Sequence, residues 1–251
     1  MAQARFRFYE ELNDFLPRSQ RKLEFVHAFD GRRSVKDLIE SLGVPHTEVE
    51  IILVNGEAVG FGHPVTDGDR VSVYPMFEAL DVTPLVRLRE RPLREPRFAV
   101  DVPLGALARY LRLCGFDAWY RNDAGDERLA SLAASERRVL LTRDRELLKR
   151  RIVSHGCFVR ARRPREQLAE VVRRLDLSGL IRPFTRCSRC NDTLRLVDKA
   201  QVLERLPADT RRCYEVFHEC ASCGRLYWRG SHARRLEAIV ASVRGALREG
   251  G

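Results

Sequence analysis

Three aspartates each follow a segment that the sequence predicts as a strand or the turn after one. Asp101 follows FAV, Asp126 follows the turn after FDAWY, and Asp144 follows VLLT. Because the carboxyl ends of parallel strands open on one edge of a sheet, we expect the three carboxylates on the same rim. Such a cluster repels itself unless a cation lies between its members. Mg²⁺ and Mn²⁺ prefer oxygen ligands and activate water for phosphodiester hydrolysis.

A structural role remains open for each aspartate. Asp101, Asp126 and Asp144 each stand directly before a predicted helix, where an aspartate commonly caps the helix start. Taken singly, each residue is interpreted as a cap, whereas the three together favour a metal site. Glu127 and Glu146 are near enough in sequence to serve as additional ligands or outer-shell partners.

Two arginines are candidates for contacts with phosphate groups. Arg109 lies in the segment LARYLR, and Arg143 directly precedes Asp144. A guanidinium group matches the oxygens of a phosphate with two parallel hydrogen bonds. The other interpretation of both residues is a charged side chain on the solvated face of a helix.

Two CxxC pairs form the strongest local signal in the chain. Cys187 and Cys190 form the first pair, and Cys220 and Cys223 form the second. This spacing allows four thiolates to hold one tetrahedral Zn²⁺, and the segment between the pairs is long enough for a ribbon hairpin with an insertion. A site closed by four sulfurs predicts a structural role. Four reduced core cysteines are the alternative, which the polar residues around each pair disfavour.

Basic and aromatic residues crowd the segment that holds these cysteines. An arginine-rich surface with exposed aromatic rings suits single-stranded nucleic acid, because bases stack on the rings while phosphates are neutralised. Trp228 and Arg229 are the candidates for this contact. Tyr227 and Trp228 could equally pack in the ribbon's own small core, and we expect one of the two in the core and the other exposed.

From Phe98 onward, strand patterns alternate with helical patterns, which predicts a parallel sheet with crossover helices. The helical faces include Leu104, Leu107, Leu111 and Cys114 in one segment and Leu168, Val171, Val172 and Leu175 in another. The sequence therefore predicts a small α/β domain that would present the three aspartates.

The first 78 residues show a complete small-domain pattern of another kind. Two alternating segments, ARFRFY and KLEFVHAF, predict a hairpin, and they precede a helix that Ser34 caps and Gly43 ends. A buried strand then leads through the Asn55-Gly56 turn, and RVSVYP forms the last strand. This order predicts a β-grasp fold. It resembles the ubiquitin-like sulfur carriers of the ThiS and MoaD type, although Met76 and Phe77 stand where those carriers have a Gly-Gly tail.

These patterns predict an α+β multi-domain chain. The expected parts are a β-grasp domain over residues 1–80, a Pro- and Arg-rich linker over 81–96, an α/β domain over 97–178, and a zinc ribbon with a C-terminal helix over 179–251. The terminal glycines, Gly250 and Gly251, are interpreted as a frayed tail.

Charge and composition favour a polyanionic partner. Lys and Arg number 9 against 13 Asp and Glu in residues 1–80, and 36 against 22 in residues 81–251. Arginine contacts with phosphate supply sequence-independent affinity for nucleic acid, although arginine bias in the genome is the alternative explanation. No apolar run is long enough to span a membrane, and the odd number of cysteines with CxxC spacing indicates metal rather than disulfides. We therefore expect a soluble protein of the cytoplasm.

Several stretches, taken in order, carry a resemblance to a known family. FAVDVPLGALARYLRLCGFDAWY, GDERLASLA, LLTRDREL, the two CxxC pairs and YWRGSH are similar to the Mut-seven C-terminal family, in which a PIN-like ribonuclease domain is joined to a zinc ribbon. The resemblance implies that Asp101, Asp126 and Asp144 occupy the acidic positions of the PIN fold. It also implies a β-grasp companion domain. Glu146 stands where related sequences often have another Asp.

The sequence therefore favours a Mg²⁺- or Mn²⁺-dependent ribonuclease with a structural zinc ribbon that aids RNA binding. The partner is expected to be single-stranded RNA, although the charge pattern fits DNA equally well. A second hypothesis is a non-catalytic zinc-ribbon protein that binds RNA or the ribosome, with the aspartates as caps. A third is a protein-interaction role for the β-grasp domain in the manner of ubiquitin.

Overall fold

A computed structural model describes residues 1–75 and 96–230 and the single positions 238 and 241. The predicted linker lies outside the described residues except for Pro96. The predicted C-terminal helix and the terminal glycines lie outside them except for Ala238 and Ala241. The chain divides into two compact units. The first unit contains the N-terminal domain and residues 126–158. The second unit contains residues 96–125 and the described residues from 159 onward.

The N-terminal domain has the predicted β-grasp fold. Its elements are β1 (Ala2–Phe8), β2 (Phe25–Phe29), β3 (Arg33–Ser34), α1 (Val35–Ser41), β4 (Val49–Val54), β5 (Glu57–Ala58), β6 (Pro64–Val65) and β7 (Arg70–Pro75). Five strands form one sheet in the order β2-β1-β7-β4-β5, and β1 and β7 run parallel at its centre. β2 and β4 pair antiparallel to β1 and β7, respectively. A mixed sheet crossed by one helix is the expected arrangement.

Alternation along β1 sets the core of this domain. Ala4, Phe6 and Phe8 are buried, while the residues between them are exposed, as expected for a strand with one solvated face. β1 and β2 do not form a tight hairpin, because residues 9–24 between them contain two short 3-10 helices. Leu12 and Phe15 from the first of these turns are buried in the same core.

The helix of the β-grasp domain begins and ends as the sequence predicts. The Ser34 hydroxyl accepts the backbone N–H of Asp37 at 3.2 Å, and the Asp37 carboxylate accepts that of Ser34 at 3.3 Å. This reciprocal pair is a capping box, which satisfies two N–H groups at the helix start. Gly43 follows the helix with φ of +93°, a conformation that glycine adopts without strain.

The α/β part of the chain has parallel strands and helices on connecting segments. Its elements are β8 (Phe98–Val100), α2 (Gly105–Leu113), β9 (Ala118–Trp119), α3 (Asp126–Ser135), β10 (Val139–Thr142), α4 (Arg145–Lys149), β11 (Gly156–Phe158) and α5 (Pro164–Arg174). β10 pairs parallel with β11, and β8 pairs parallel with β9. All three residues of β8 and all four of β10 are buried, which is typical of parallel strands covered on both faces. The alternation of strand and helix is therefore confirmed.

The C-terminal part forms a small antiparallel sheet. Its elements are β12 (Leu194–Val197), α6 (Lys199–Val202), α7 (Ala208–Cys213), β13 (Phe217–Cys220) and β14 (Leu226–Tyr227). The sheet order is β12-β13-β14, and both helices lie in the connection between β12 and β13. This connection is the insertion expected from the spacing of the cysteine pairs. In the described part of the chain, no helix has the length and apolar character that crossing a membrane requires.

The Asn55-Gly56 turn offers a test of the β-grasp fold. Both residues have positive φ, +53° and +91°, as a type I′ turn requires. The Asn55 side chain also donates to Asp69 at 2.8 Å and accepts the backbone N–H of Arg70 at 2.9 Å. It therefore joins the turn to the beginning of β7.

We expect Asn55→Ala to lower the free energy of unfolding by about 2 to 3 kcal/mol, because it loses two hydrogen bonds and strains a left-handed residue. Asn55→Gly keeps the turn conformation and should cost only about 1 to 2 kcal/mol. Urea unfolding of both variants measures the difference. Equal losses would contradict the contribution of the turn conformation.

Candidate functional site

Four cysteine sulfurs meet in the C-terminal sheet. The Sγ atoms of Cys187, Cys190, Cys220 and Cys223 all lie within 4.8 Å of one another. Cys187 Sγ is 3.6 Å from Cys223 Sγ, and Cys190 Sγ is 3.3 Å from Cys220 Sγ. Sulfurs around a tetrahedral zinc ion, each about 2.3 Å from the metal, stand roughly 3.8 Å apart. The cluster therefore fits a metal ion that prefers four thiolate ligands.

The two CxxC segments fold into the same turn. In the first turn the N–H of Asn191 donates to the Cys187 carbonyl, and in the second the N–H of Gly224 donates to the Cys220 carbonyl, both at 3.0 Å. Asn191 and Gly224 both have positive φ, +72° and +66°. Cys187 and Cys220 also donate their own N–H groups to the carbonyls of Asp192 and Arg225. Each turn thus presents its two sulfurs from one rigid loop.

Hydrogen bonds at the cluster favour a thiolate at Cys187. Burial opposes ionisation of this thiol, but N–H donation from Cys190 and the nearby Tyr227 hydroxyl lower its pKa to about 6. Tyr227 Oη is 3.0 Å from Cys187 Sγ and accepts the N–H of Ser188 at 3.0 Å. Although Cys190 is exposed, partial desolvation and the neighbouring sulfurs of Cys220 and Cys187 raise its pKa to about 12, so this thiol keeps its proton unless a metal displaces it.

A buried arginine and an asparagine join the first cysteine turn to the α/β part of the same unit. Arg112 on α2 is 5% exposed and donates to the carbonyls of Ala118 at 2.8 Å and Arg189 at 2.9 Å. The Asn191 side chain accepts the N–H of Ala118 at 3.0 Å and donates to Asp117 at 2.8 Å. Sequence reasoning missed both residues, because neither belongs to a ligand motif.

Asp101 follows β8 directly, as the sequence predicts. It is 9% exposed and caps the short helical turn at residues 102–104, where its carboxylate accepts the N–H of Val102 at 2.7 Å. Asp101 therefore acts as a helix cap and lies at the carboxyl end of a strand.

Asp126 is the first residue of α3 rather than the residue that caps it. It is exposed, and its Oδ2 is 3.8 Å from Nη2 of Arg150. Glu127, the next residue of the helix, is exposed as well. A carboxylate in the first helical turn is stabilised by the helix dipole, so Asp126 also has a structural role.

Asp144 lies between β10 and α4 with its carboxylate exposed. Its Oδ1 accepts the N–H groups of Glu146 at 2.8 Å and Leu147 at 3.4 Å, so the residue caps α4. Both contacts use the same oxygen. Glu146 points to another partner, because its Oε1 accepts a bond from Lys149 at 2.8 Å.

The predicted nucleic-acid contacts lie in different settings. Arg109 is exposed on α2, Arg143 is half-buried beside Asp144, and Arg229 is exposed after β14. Trp228 is half-buried against the small core of Val202, Leu206 and Phe217. Its ring lies 6.3 Å from that of Phe217. Trp228 therefore packs against the ribbon core, and Tyr227 contacts the cysteine cluster. Both side chains are half-buried, so the prediction that one of the two is exposed is wrong.

Within residues 1–75 and 96–230, the four cysteines are the one group of three or more His, Cys, Asp or Glu ligand atoms that all lie within 4.8 Å of each other. The three aspartates do not form such a group.

The sequence matches the family described as the Mut7-C RNAse domain over residues 96–240 and the family described as Mut7-C ubiquitin over residues 1–81. A crystal structure of H. volcanii small archaeal modifier protein 1 is 20% identical and covers 31% of this chain and 100% of its own, with a TM-score of 0.26. A crystal structure of SAMP1 from Haloferax volcanii is 18% identical and covers 32% and 100%, with a TM-score of 0.26. A comparison with curated proteins gives no match. The match to the Mut7-C RNAse domain spans more than half of this chain, so the chain belongs to that family.

Proposed function

We propose that this protein is a metal-dependent ribonuclease that hydrolyses phosphodiester bonds of single-stranded RNA. Asp101, Asp126 and Asp144 hold Mg²⁺ or Mn²⁺, with Glu127 and Glu146 as candidates for further ligands or outer-shell partners. Membership of an RNAse domain family supports nuclease chemistry. The seven cysteines are free of disulfide bonds, which supports the reducing cytoplasm as the place of action.

The observation that carries the proposal is the state of the Asp144 carboxylate. Its cap bonds involve Oδ1, and within the described residues Oδ2 has no hydrogen bond or ion pair. The side chain is also exposed, so a hard ion from solvent reaches this oxygen directly. A residue that only capped α4 would need one acceptor oxygen, which asparagine or serine supplies equally well.

Carboxylate oxygens are the ligands that hard divalent ions prefer, so the three aspartates offer the donor chemistry that Mg²⁺ or Mn²⁺ would take. Once bound, such an ion supplies an activated water and stabilises the developing charge on the leaving oxygen. Arg143, directly before Asp144, and Arg109 on α2 contact phosphate oxygens of the strand. Arg229 on the ribbon extends this contact by neutralising further phosphates. Trp228 contributes by holding the ribbon segment that carries Arg229.

The cysteine cluster holds a structural Zn²⁺ in this proposal. Four sulfurs within 4.8 Å of one another would fill all four coordination positions of the ion. No position would remain for a substrate, so the role of the ion is to stabilise the fold. Arg112 and Asn191 connect the first cysteine turn to α2 and β9 within the same unit. Loss of zinc should therefore weaken α2 and β9 as well as the ribbon.

A second candidate function is non-catalytic binding of RNA or the ribosome by the ribbon. The observation that favours it is the helix-start role of all three aspartates, which accounts for their positions without a metal. This alternative predicts that Zn²⁺ is the one divalent ion the protein binds.

Asp144→Asn separates the two candidates. Asparagine caps a helix about as well as aspartate, so the free energy of unfolding should change by less than about 0.5 kcal/mol. The lost charge should reduce Mn²⁺-dependent cleavage of single-stranded RNA by about a hundredfold or more. Initial cleavage rates and urea unfolding are the measurements, and Asp30→Asn, at an exposed site in the β-grasp domain, is the control.

Asp101→Asn should behave like Asp144→Asn. Cleavage at the parent rate by both variants, with an active parent, would contradict the assignment of the aspartates. Single-stranded DNA in parallel reactions establishes whether the substrate is RNA alone.

Replacement of a cluster cysteine should remove zinc and unfold part of the second unit. We expect the purified parent to contain one zinc per chain and Cys187→Ser to contain less, because a tetrahedral site loses one of its four ligands. Elemental analysis measures the zinc content, and hydrogen exchange of residues 105–119 measures the effect on α2 and β9. Cys213→Ser, at an exposed cysteine outside the cluster, should match the parent in both. Full zinc content in Cys187→Ser would rule out the tetrathiolate site.

A further inference from the structure

The helix that Asp144 caps depends on tertiary contacts for its position. α4 has five residues, and isolated helices of this length are unstable in water. Leu147 and Leu148 are buried, which fixes one side of the helix. The position of its first residue, directly after Asp144, depends on the Asp144 cap and on further contacts of that residue.

Those contacts come from the ubiquitin-like domain, which forms one compact unit with residues 126–158. Arg145, the first residue of α4, donates from Nη1 to the carbonyl of Phe15 at 3.1 Å and from Nη2 to that of Asp14 at 3.4 Å. Its guanidinium carbon lies 5.0 Å from the ring centroid of Phe15 and 5.8 Å from that of Phe158. Hydrogen bonds from a charged donor combined with cation–π contacts form a specific attachment.

Two buried side chains of the same domain hold the chain after α4. The His46 ring joins the Glu40 carboxylate at 2.6 Å to the carbonyl of Val153 at 2.9 Å. The Glu48 carboxylate accepts the N–H of Phe158 at 2.7 Å. His46 is 7% exposed and Glu48 is 1% exposed.

Burial makes these contacts costly to open. The buried Glu48 carboxylate needs hydrogen-bond donors in fixed positions. If this contact opened and no water entered, the Phe158 N–H would be left without an acceptor. Phe15 and Phe158 also meet edge to face, with ring centroids 5.3 Å apart. The contact therefore combines buried polar groups with packed aromatic rings, around an Arg145 side chain that is itself exposed.

We propose that the ubiquitin-like domain acts as a clamp that fixes the turn and helix carrying Asp144, with Arg145 as the positioning residue. The domain holds residue 145 at the start of α4 and residues 153 and 158 after its end, so the Asp144 carboxylate is presented from a segment fixed on both sides. The role of the clamp in metal binding rests on the proposed function. The clamp itself is a property of this unit.

Hydrogen exchange of the full-length protein tests the clamp without any need for activity. In Arg145→Ala, we expect the amides of α4 to exchange roughly tenfold faster, because local opening no longer breaks the bonds to Asp14 and Phe15. Arg145→Lys keeps the charge but loses the planar fork, so it should show an intermediate rate. Arg151→Ala removes one positive charge from the exposed loop after α4 and should match the parent. The amides of α5, in the other unit, should be unchanged in all variants.

Titration with Mn²⁺ alone, on the same variants, tests whether the clamp positions Asp144. The dissociation constant should rise about tenfold in Arg145→Ala and less in Arg145→Lys, following the exchange rates, while Arg151→Ala keeps the parent value. Parent-like exchange in Arg145→Ala overturns the clamp. Faster exchange with an unchanged Mn²⁺ constant overturns the positioning role. A parent chain that binds no Mn²⁺ sensitive to Asp144→Asn overturns the proposed function, and the exchange rates then decide the clamp separately.

Discussion

Backbone N–H groups of the short α/β strands find partners in side chains from the flanking parts of the chain. Ala118 in β9 donates to Asn191 from the first cysteine turn, and Phe158 in β11 donates to Glu48 from the ubiquitin-like domain. A buried N–H without an acceptor costs about 1 to 3 kcal/mol, so each strand depends on its companion. β9 and β11 each have a backbone N–H whose acceptor comes from outside the α/β segment.

Charged side chains make the contacts at the first cysteine turn, through Arg112, and at the ubiquitin-like domain, through Glu48 and Arg145. Apolar packing would stabilise the same contacts at a lower desolvation cost. Burial lowers the pKa of Arg112, while the nearby Cys187 and Cys190 oppose this effect when ionised. A zinc ion held by the four thiolates would carry a net negative charge, which the buried Arg112 guanidinium would partly offset. Breaking a buried charged contact by removing one partner is strongly destabilising. Such contacts fix a single register between the joined surfaces, and apolar contact alone specifies that register less strictly.

Much of the fold could be predicted from local patterns, because those patterns reflect local physics. Ser34, Gly43 and Asn55 each act through backbone conformation and short-range hydrogen bonds, and each lies in the predicted setting. The spacing of the cysteines likewise fixes the geometry of the turns that hold them. Arg145, Glu48 and Arg112 could not be identified in this way. Each has a partner 76 to 130 residues away in sequence, and a charged residue on a helix or loop is normally interpreted as solvated.

A carboxylate has two oxygens and about four acceptor positions, so one aspartate can cap a helix and also bind a metal ion. At Asp144 the cap bonds converge on Oδ1, so the same contact that fixes the helix start also fixes the direction of Oδ2. A cap restricts side-chain rotation, and this restriction lowers the entropy that the carboxylate would lose when it binds an ion. The capping role of Asp144 is therefore compatible with the proposed metal-binding role. A helix-capping aspartate at the end of a strand combines a fixed orientation with a free charge, which asparagine or serine at the same position would not provide.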